Sequence, residues 1–206
     1  MMRLLQINAS IFAKHGQSTR LADEFVAAWS ASNPDAQVVV RDLAEETVPH
    51  LDAERFGAFL AKPGELTPEQ QAVVDYSDAL IDELKRADVL VLGLPMYNFG
   101  VPSTLKAYID HVARAGATFK YTDKGPVGLL TGKKAYVFAT RGGIYAGTPL
   151  DTQTAYVRDM LRFLGIDDVE FVYAEGLAIG AERKTAALSQ AQRAIERLTL
   201  PEALAA

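Results

Sequence analysis

The chain has 206 residues, an apolar fraction of 49% and a formal charge of −5, the make-up of a globular domain with enough material for a full core. With no cysteine it has no disulfide, no thiolate nucleophile and no thiolate metal site. The mildly acidic balance lacks a basic stripe, which argues against nucleic acid and anionic membranes, and no run reaches the roughly 18 apolar residues of a membrane span.

Strand and helix patterns alternate along the chain. Arg3–Asn8 is the first predicted strand; because Met1–Ile7 is needed there and is too short for a signal peptide, the cytoplasm is the expected compartment. A loop of small and polar residues, Ala9–Gln17, leads to a helix that Ser18 is expected to cap, with Leu21, Phe25, Val26 and Trp29 on its apolar face. Asn33-Pro34-Asp35 breaks that helix before a second strand, Gln37–Arg41. A long insertion from Asp42 to about Thr67 holds a short helix near Ala53–Leu60. Thr67-Pro68-Glu69-Gln70 then starts a helix to about Arg86 with a threonine cap, an early proline and a glutamine three after the cap.

Val89–Leu94 is apolar and β-branched enough for a buried parallel strand. The next helix carries Leu105, Ile109 and Val112 inward, and Ala117–Gly125 reads as a hairpin or a lid. Ala135–Thr140, Asp151–Leu164, Val169–Tyr173 and Glu182–Leu198 complete the pattern as strand, helix, strand and helix. Right-handed crossovers between such units predict one α/β domain over residues 1–206, a three-layer α/β/α sandwich around a five-stranded parallel sheet of order 2-1-3-4-5.

In that topology the loops after strands 1, 3 and 4 converge. Pro95-Met96-Tyr97-Asn98-Phe99-Gly100 follows the central strand, and its two rings and one amide suit a flat, hydrogen-bonding heterocycle such as a flavin. Ser10 and Gly16-Gln17-Ser18-Thr19 offer hydroxyls, an amide and a helix N-terminus, which binds phosphate without a cationic side chain; taken alone, Ser18 reads first as a cap. Thr140-Arg141-Gly142-Gly143 lets backbone N–H groups approach a ring edge, or forms an ordinary glycine turn, and Arg141 is expected to project into solvent or an interface.

Other motifs fail. Gly128–Lys134 is one residue short of a P-loop between its glycines, lacks Ser or Thr after Lys133, and precedes a strand. No GxGxxG follows the first strand, and Asn8-Ala9-Ser10 lacks the acids of a phosphoacceptor site. His50 and His111 read as surface or internally satisfied residues, with His15 open because it sits in the phosphate loop. No metal site is expected.

These elements resemble the FMN-dependent NADH azoreductases, a family of flavodoxin-like quinone reductases. The likeness rests on Ser10, Gln17-Ser18, the Met96–Phe99 loop, Arg114–Tyr121, Gly125-Pro126, Gly128-Leu129, Thr131–Lys134, Arg141–Ile144 and Phe171–Gly176, and so spans essentially the whole chain. It implies FMN as cofactor and NADH or NADPH as donor. Ser10, Gly16, Gln17 and Ser18 would hold the phosphate, Pro95, Met96, Tyr97, Asn98 and Phe99 would border the ring, and Thr140, Arg141, Gly142 and Gly143 would line its pyrimidine side. Asn98, Phe119, Tyr145 and Met160 would form the substrate pocket. Since the flavin carries the chemistry at N5, no catalytic side chain is expected. The resemblance further implies two-electron ping-pong reduction of quinones, cleavage of azo compounds to amines over two cycles, and a homodimer with its sites at the interface. An electron carrier of the flavodoxin type, working with a protein partner, is the alternative. Thr140 in place of a common serine, Gly100-Val101-Pro102 and Met160 depart from familiar members.

Overall fold

The computed structural model describes residues 1–62 and 64–200. β1 (Arg3–Asn8) leads through a loop with a 3-10 turn at Ala13–His15 into α1 (Gln17–Ser32). β2 (Gln37–Asp42), α2 (Ala53–Leu60), α3 (Pro68–Arg86), β3 (Val89–Pro95) and α4 (Ser103–Val112) follow. A hairpin of β4 (Phe119–Thr122) and β5 (Gly125–Gly128) precedes β6 (Lys134–Thr140), α5 (Thr152–Leu164), β7 (Asp168–Ala174) and α6 (Ala181–Thr199). The expected single domain extends to residue 206; Pro63 and residues 201–206 of it lie outside the described residues.

One sheet runs β2-β1-β3-β6-β7 with every pairing parallel. Counting those five strands alone, this is the expected order 2-1-3-4-5. The hairpin stands apart as an antiparallel pair, which decides between hairpin and lid for that segment. Period-two alternation divides the apolar side chains of the sheet. Leu4, Val91 and Phe138 pack with Phe25 of α1 and Ile195 of α6, whereas Leu5, Leu92 and Val137 pack with Leu80 of α3, Leu105 of α4 and Leu161 of α5. All seven residues of β3 are buried, which is why its sequence shows no polar alternation.

Local chemistry fixes the helix ends. At α3 the Thr67 hydroxyl accepts from Gln70 N while the Gln70 side chain accepts from Thr67 N, the reciprocal cap that the sequence predicts. The P-loop look-alike has a structural task instead. Lys133 Nζ donates to the carbonyls of Lys85 and Ala87 and so caps the far end of α3. At the end of α5, Gly165 takes the left-handed conformation (φ 102°) that lets its N–H turn back to Arg162 and Leu161.

Candidate active site

The C-terminal ends of β1, β3 and β6 lie side by side, and the loops that leave them wall a cleft of about 370 Å³. Ser10, Gly16 and Gln17 come from the first loop, Pro95, Met96 and Tyr97 from the second, Thr140, Arg141 and Gly142 from the third. Phe12, His15 and Leu177 also line it.

The first wall is an uncapped helix end. Gly16, not Ser18, is the N-cap of α1, and no side chain caps it. This corrects the expected role of Ser18, which sits inside the first turn. The first-turn N–H groups consequently have no acceptor within the helix. A Cβ on residue 16 would lie 2.2 Å from Ser10 Oγ, so only glycine lets the helix end close on Ser10. The Ser18 side chain is fully buried, and its hydroxyl and that of Thr19 have no partner among the described residues. Tyr97 joins this wall to the next: its hydroxyl accepts from Ile11 N at 3.3 Å and lies 3.4 Å from Ser10 Oγ.

The second wall is a tight turn. Tyr97 and Gly100 exchange both backbone hydrogen bonds, at 3.2 and 3.0 Å, and between them Asn98 and Phe99 have φ of 50° and 64°. This is the mirror-image two-residue hairpin turn, which favours Asn-Gly. A side chain in that conformation costs roughly 1–2 kcal/mol. The strain is held from α5: the Thr152 hydroxyl donates to Phe99 O, and Gln153 Nε2 donates to Pro95 O at 2.9 Å and Gly100 O at 3.1 Å. The Phe99 ring, 48% exposed, rests edge-on against Tyr145 at 5.3 Å.

The third wall overturns the expectation that Arg141 faces solvent or an interface. Its side chain is 0% exposed. Nη2 donates to Asp151 Oδ1 and Thr154 Oγ1, both at 2.8 Å, Nη1 donates to Glu175 Oε1 at 3.1 Å, and the guanidinium lies 5.0 Å from the centre of the Tyr173 ring. A buried cation survives only with such partners, and here two carboxylates supply them. Burial pushes the Asp151 carboxyl up, but the bonds from Arg141 and Thr154 outweigh it and hold it below the usual carboxylate range. Glu175 Oε1 also accepts from Tyr145 N and Ala146 N at 2.9 Å. The carbonyls of Arg141, Gly142 and Gly143 accept from Leu177, Ala178 and Gly176 respectively, bonds in which the N–H groups of Gly142 and Gly143 take no part. A Cβ on residue 143 would meet the Tyr145 hydroxyl at 2.4 Å, so the ring folds over Gly143.

Residues 2–198 match the sequence profile of the family described as flavodoxin-like fold. The chain belongs to that flavodoxin-like family. Among its relatives, an FMN-dependent NADH:quinone oxidoreductase of Cellvibrio japonicus is 55% identical over 197 residues, 96% of this chain and 98% of that one. The FMN-dependent NADH:quinone oxidoreductase 6 of Burkholderia lata is 53% identical over 95% of this chain and 98% of its own. Among solved structures, an azoreductase of Bacillus anthracis strain Sterne superposes with a TM-score of 0.89 at 29% identity, covering 97% of this chain and 99% of the other. An FMN-dependent NADH-azoreductase of Bacillus anthracis strain Ames Ancestor, in complex with FMN, gives a TM-score of 0.86 at 31% identity, with 97% and 100% coverage.

Within this flavodoxin-like frame the remaining expected residues scatter. Asn98 and Phe99 stand exposed at the lip, and Tyr145 is half-buried behind Gly143. Phe119 is 7% exposed and packed 4.3 Å from the Phe163 ring; Met160 is half-buried on α5. Neither lines the cleft. His111 is a core residue, its Nδ1 3.0 Å from Ala107 O and its ring between Phe59 and Tyr76. Sequence reasoning missed Asp151, Thr152 and Gln153, which carry no motif of their own, gave Glu175 in the Phe171–Gly176 stretch no role at the site, and missed Leu177, which follows a strand not counted towards the site. A roomier cavity of about 600 Å³ lies between Ile144, the end of β7 and α6, and its charged lining is mixed, Glu175 and Glu182 beside Arg183. The smaller cleft, with its uncapped helix end, suits an anionic ligand.

Proposed function

We propose that this chain is an FMN-dependent NAD(P)H oxidoreductase that reduces quinones and cleaves aromatic azo compounds to amines. The observation that carries the reading is the uncapped start of α1 at Gly16-Gln17, set across one cleft from Pro95–Tyr97 and Gly142, with the orphaned Ser18 hydroxyl buried in the same helix turn. The names of the Cellvibrio and Burkholderia relatives and of the Bacillus azoreductases support it.

The residues present fit FMN. Gly16 N–H is taken by Ala13 O, but the N–H groups of Gln17 and Ser18 have no acceptor and, with the Ser10 and Ser18 hydroxyls, match a terminal phosphate. Pro95, Met96 and Tyr97 offer an apolar wall for a ring, and the N–H groups of Gly142 and Gly143 are the donors for its polar edge. When bound, FMN supplies a two-electron hydride acceptor and donor. The chain's own contribution is to place that ring, to stabilise negative charge at its edge through fixed backbone donors, and to leave one face open for flat donors and acceptors in turn. Asn98 and Phe99 at the lip would border those molecules, with Tyr145 supporting Phe99.

We read the two apolar clusters on a single sheet as one domain of three layers. The exposed Phe99, Ile144, Leu150 and Tyr121 side chains support a homodimer that covers the lip, and there Phe119 and Met160 would shape the pocket through neighbouring side chains. Use of a nicotinamide nucleotide suits a cytoplasmic setting; no described helix is long and apolar enough to cross a membrane.

The test is anaerobic. FMN-loaded protein should be bleached by one equivalent of NADH or NADPH and recover its colour with benzoquinone or an azo dye. Protein that binds no FMN, or whose bound FMN neither nucleotide reduces, would end this reading.

A further inference from the structure

Arg141 occupies an unusual place for a charged residue at the edge of a cleft. It is fully enclosed and its hydrogen bonds run away in two directions. Through Nη1 it meets Glu175, whose same oxygen Oε1 holds the backbone N–H groups of Tyr145 and Ala146. That direction shapes the loop with the Gly142-Gly143 pair. Through Nη2 it meets Asp151, the N-cap of α5, which also accepts from Thr154 N and the Thr154 hydroxyl. The next two residues of α5, Thr152 and Gln153, grip the carbonyls of Phe99, Pro95 and Gly100. That direction holds the strained Tyr97–Gly100 turn.

We infer that Arg141, clamped between Asp151 and Glu175, is a positioning residue that couples the two ring-bordering loops, so that loosening either carboxylate loosens both sides of the cleft. The ligand consequence rests on reading the cleft as an FMN site; the coupling itself does not. Two independent braces would respond locally. One shared guanidinium responds at a distance, because a buried cation that loses one partner must move or be resolvated.

The experiment uses Asp151→Asn and Glu175→Gln, which keep side-chain shape and leave Arg141 one carboxylate each, with Glu170→Gln on the exposed face of β7 as control. Amide exchange is followed by mass spectrometry on the apoprotein and the FMN-loaded protein, and FMN affinity by fluorescence titration of the apoprotein. Glu175→Gln should speed exchange not only at residues 143–147, its own contacts, but across the guanidinium at residues 96–100. Asp151→Asn should do the converse. Each should weaken FMN binding about tenfold, on the scale of one charge-assisted hydrogen bond, and the control should change neither readout. If each variant loosens only its own loop, the coupling is wrong, whatever happens to affinity. If both loops loosen while FMN affinity stays within twofold, the coupling stands as a property of the fold and its assignment to ring positioning falls. Failure of the unmutated apoprotein to bind FMN is a separate result that overturns the cofactor reading alone.

Discussion

Gln153 Nε2 lies 2.9 Å from the carbonyl oxygen of Pro95, so the buried start of α5 holds the last residue of the central strand. A second bond from the same nitrogen reaches Gly100 O, and the two anchor points bracket the turn that borders the cleft. Gln153→Leu would fill the space but strand Pro95 O, while Gly100 O keeps only its bond from Tyr97 N. At about 1–3 kcal/mol for leaving a buried group unsatisfied, and roughly 2–4 °C per kcal/mol at this chain length, melting should fall by about 2–12 °C. The KM for acceptors should rise more than the KM for the nicotinamide donor if the lip mainly contacts the acceptor. A melt within one degree of the parent would show that this clamp is idle.

The turn itself makes an opposite prediction. Phe99 has φ of 64°, where its Cβ is strained and glycine is not. Phe99→Gly creates the favoured Asn-Gly turn, recovering about 1–2 kcal/mol of strain against roughly 0.5–1 kcal/mol of added unfolded-state freedom. The variant should be as stable as the parent or slightly more so, yet poorer with flat acceptors because the ring against Tyr145 is gone. A destabilised Phe99→Gly protein would mean that the aromatic contact outweighs the strain.

How far the sequence carried differs between strand and site. β1 matched its expected bounds and α2 the helix expected near Ala53–Leu60, and β3 was legible to within one residue because an unbroken apolar run admits little else. The convergence of the three loops followed from strand order alone. Arg141 was misread because a motif reports which residues are near a ligand and not which way a long side chain turns. Its partners Asp151 and Glu175 lie 10 and 34 positions away, on elements whose local patterns carry no trace of the pairing. Ser18 was misplaced by one local rule: a serine before an apolar helix reads as a cap, whereas Gly16 takes that position and frees the hydroxyl. The mirror-image turn at Asn98-Phe99 was hidden because the sequence lacks the glycine that announces it.

The helix end can be probed by charge. Ser18→Asp puts a carboxylate beside the proposed phosphate and should weaken FMN binding at least tenfold, whereas Ser18→Ala removes one hydrogen bond of about 1.5–3 kcal/mol to a charged group. In the apoprotein Ser18→Ala should be neutral or slightly stabilising, because the hydroxyl is buried without a partner. Titration of the two apoproteins with FMN, alongside melts without it, checks both halves; equal FMN affinity in all three proteins would remove Ser18 from the site.

Phe119 answers to packing first. Its ring lies 4.3 Å from Phe163 and 5.4 Å from Tyr121. Phe119→Ala should cost about 3–5 kcal/mol of stability. An additional change in acceptor selectivity, separate from the half-reaction with NADH, would be the sign that the hairpin also shapes the pocket. A small stability loss with a selective acceptor defect would reverse that order and make it a pocket residue before a core one.

The last prediction follows the Asp151 carboxyl down in pH. Its pKa in the fold lies below the ordinary value, since the bonds from Arg141 and Thr154 outweigh the burial that pushes it up. A group with a lowered folded-state pKa binds fewer protons folded than unfolded, so its stabilisation is complete above the unfolded value near 3.9 and drains away as pH falls through the folded one. His111 adds an acid-labile contribution of its own, because burial lowers its pKa, and that loss begins at higher pH, near the ordinary histidine value of about 6.5. Comparing the parent with Asp151→Asn cancels the histidine. The variant should melt lower at pH 7 by an amount that is constant down to about pH 5 and narrows below about pH 4, because the parent then loses the interaction that the variant never had. Melts at half-unit steps from pH 7 to pH 3 would show it. A gap that stays constant to pH 3 would mean that Asp151 takes up its proton alike in the folded and unfolded chain, so that its charge does not stabilise the fold.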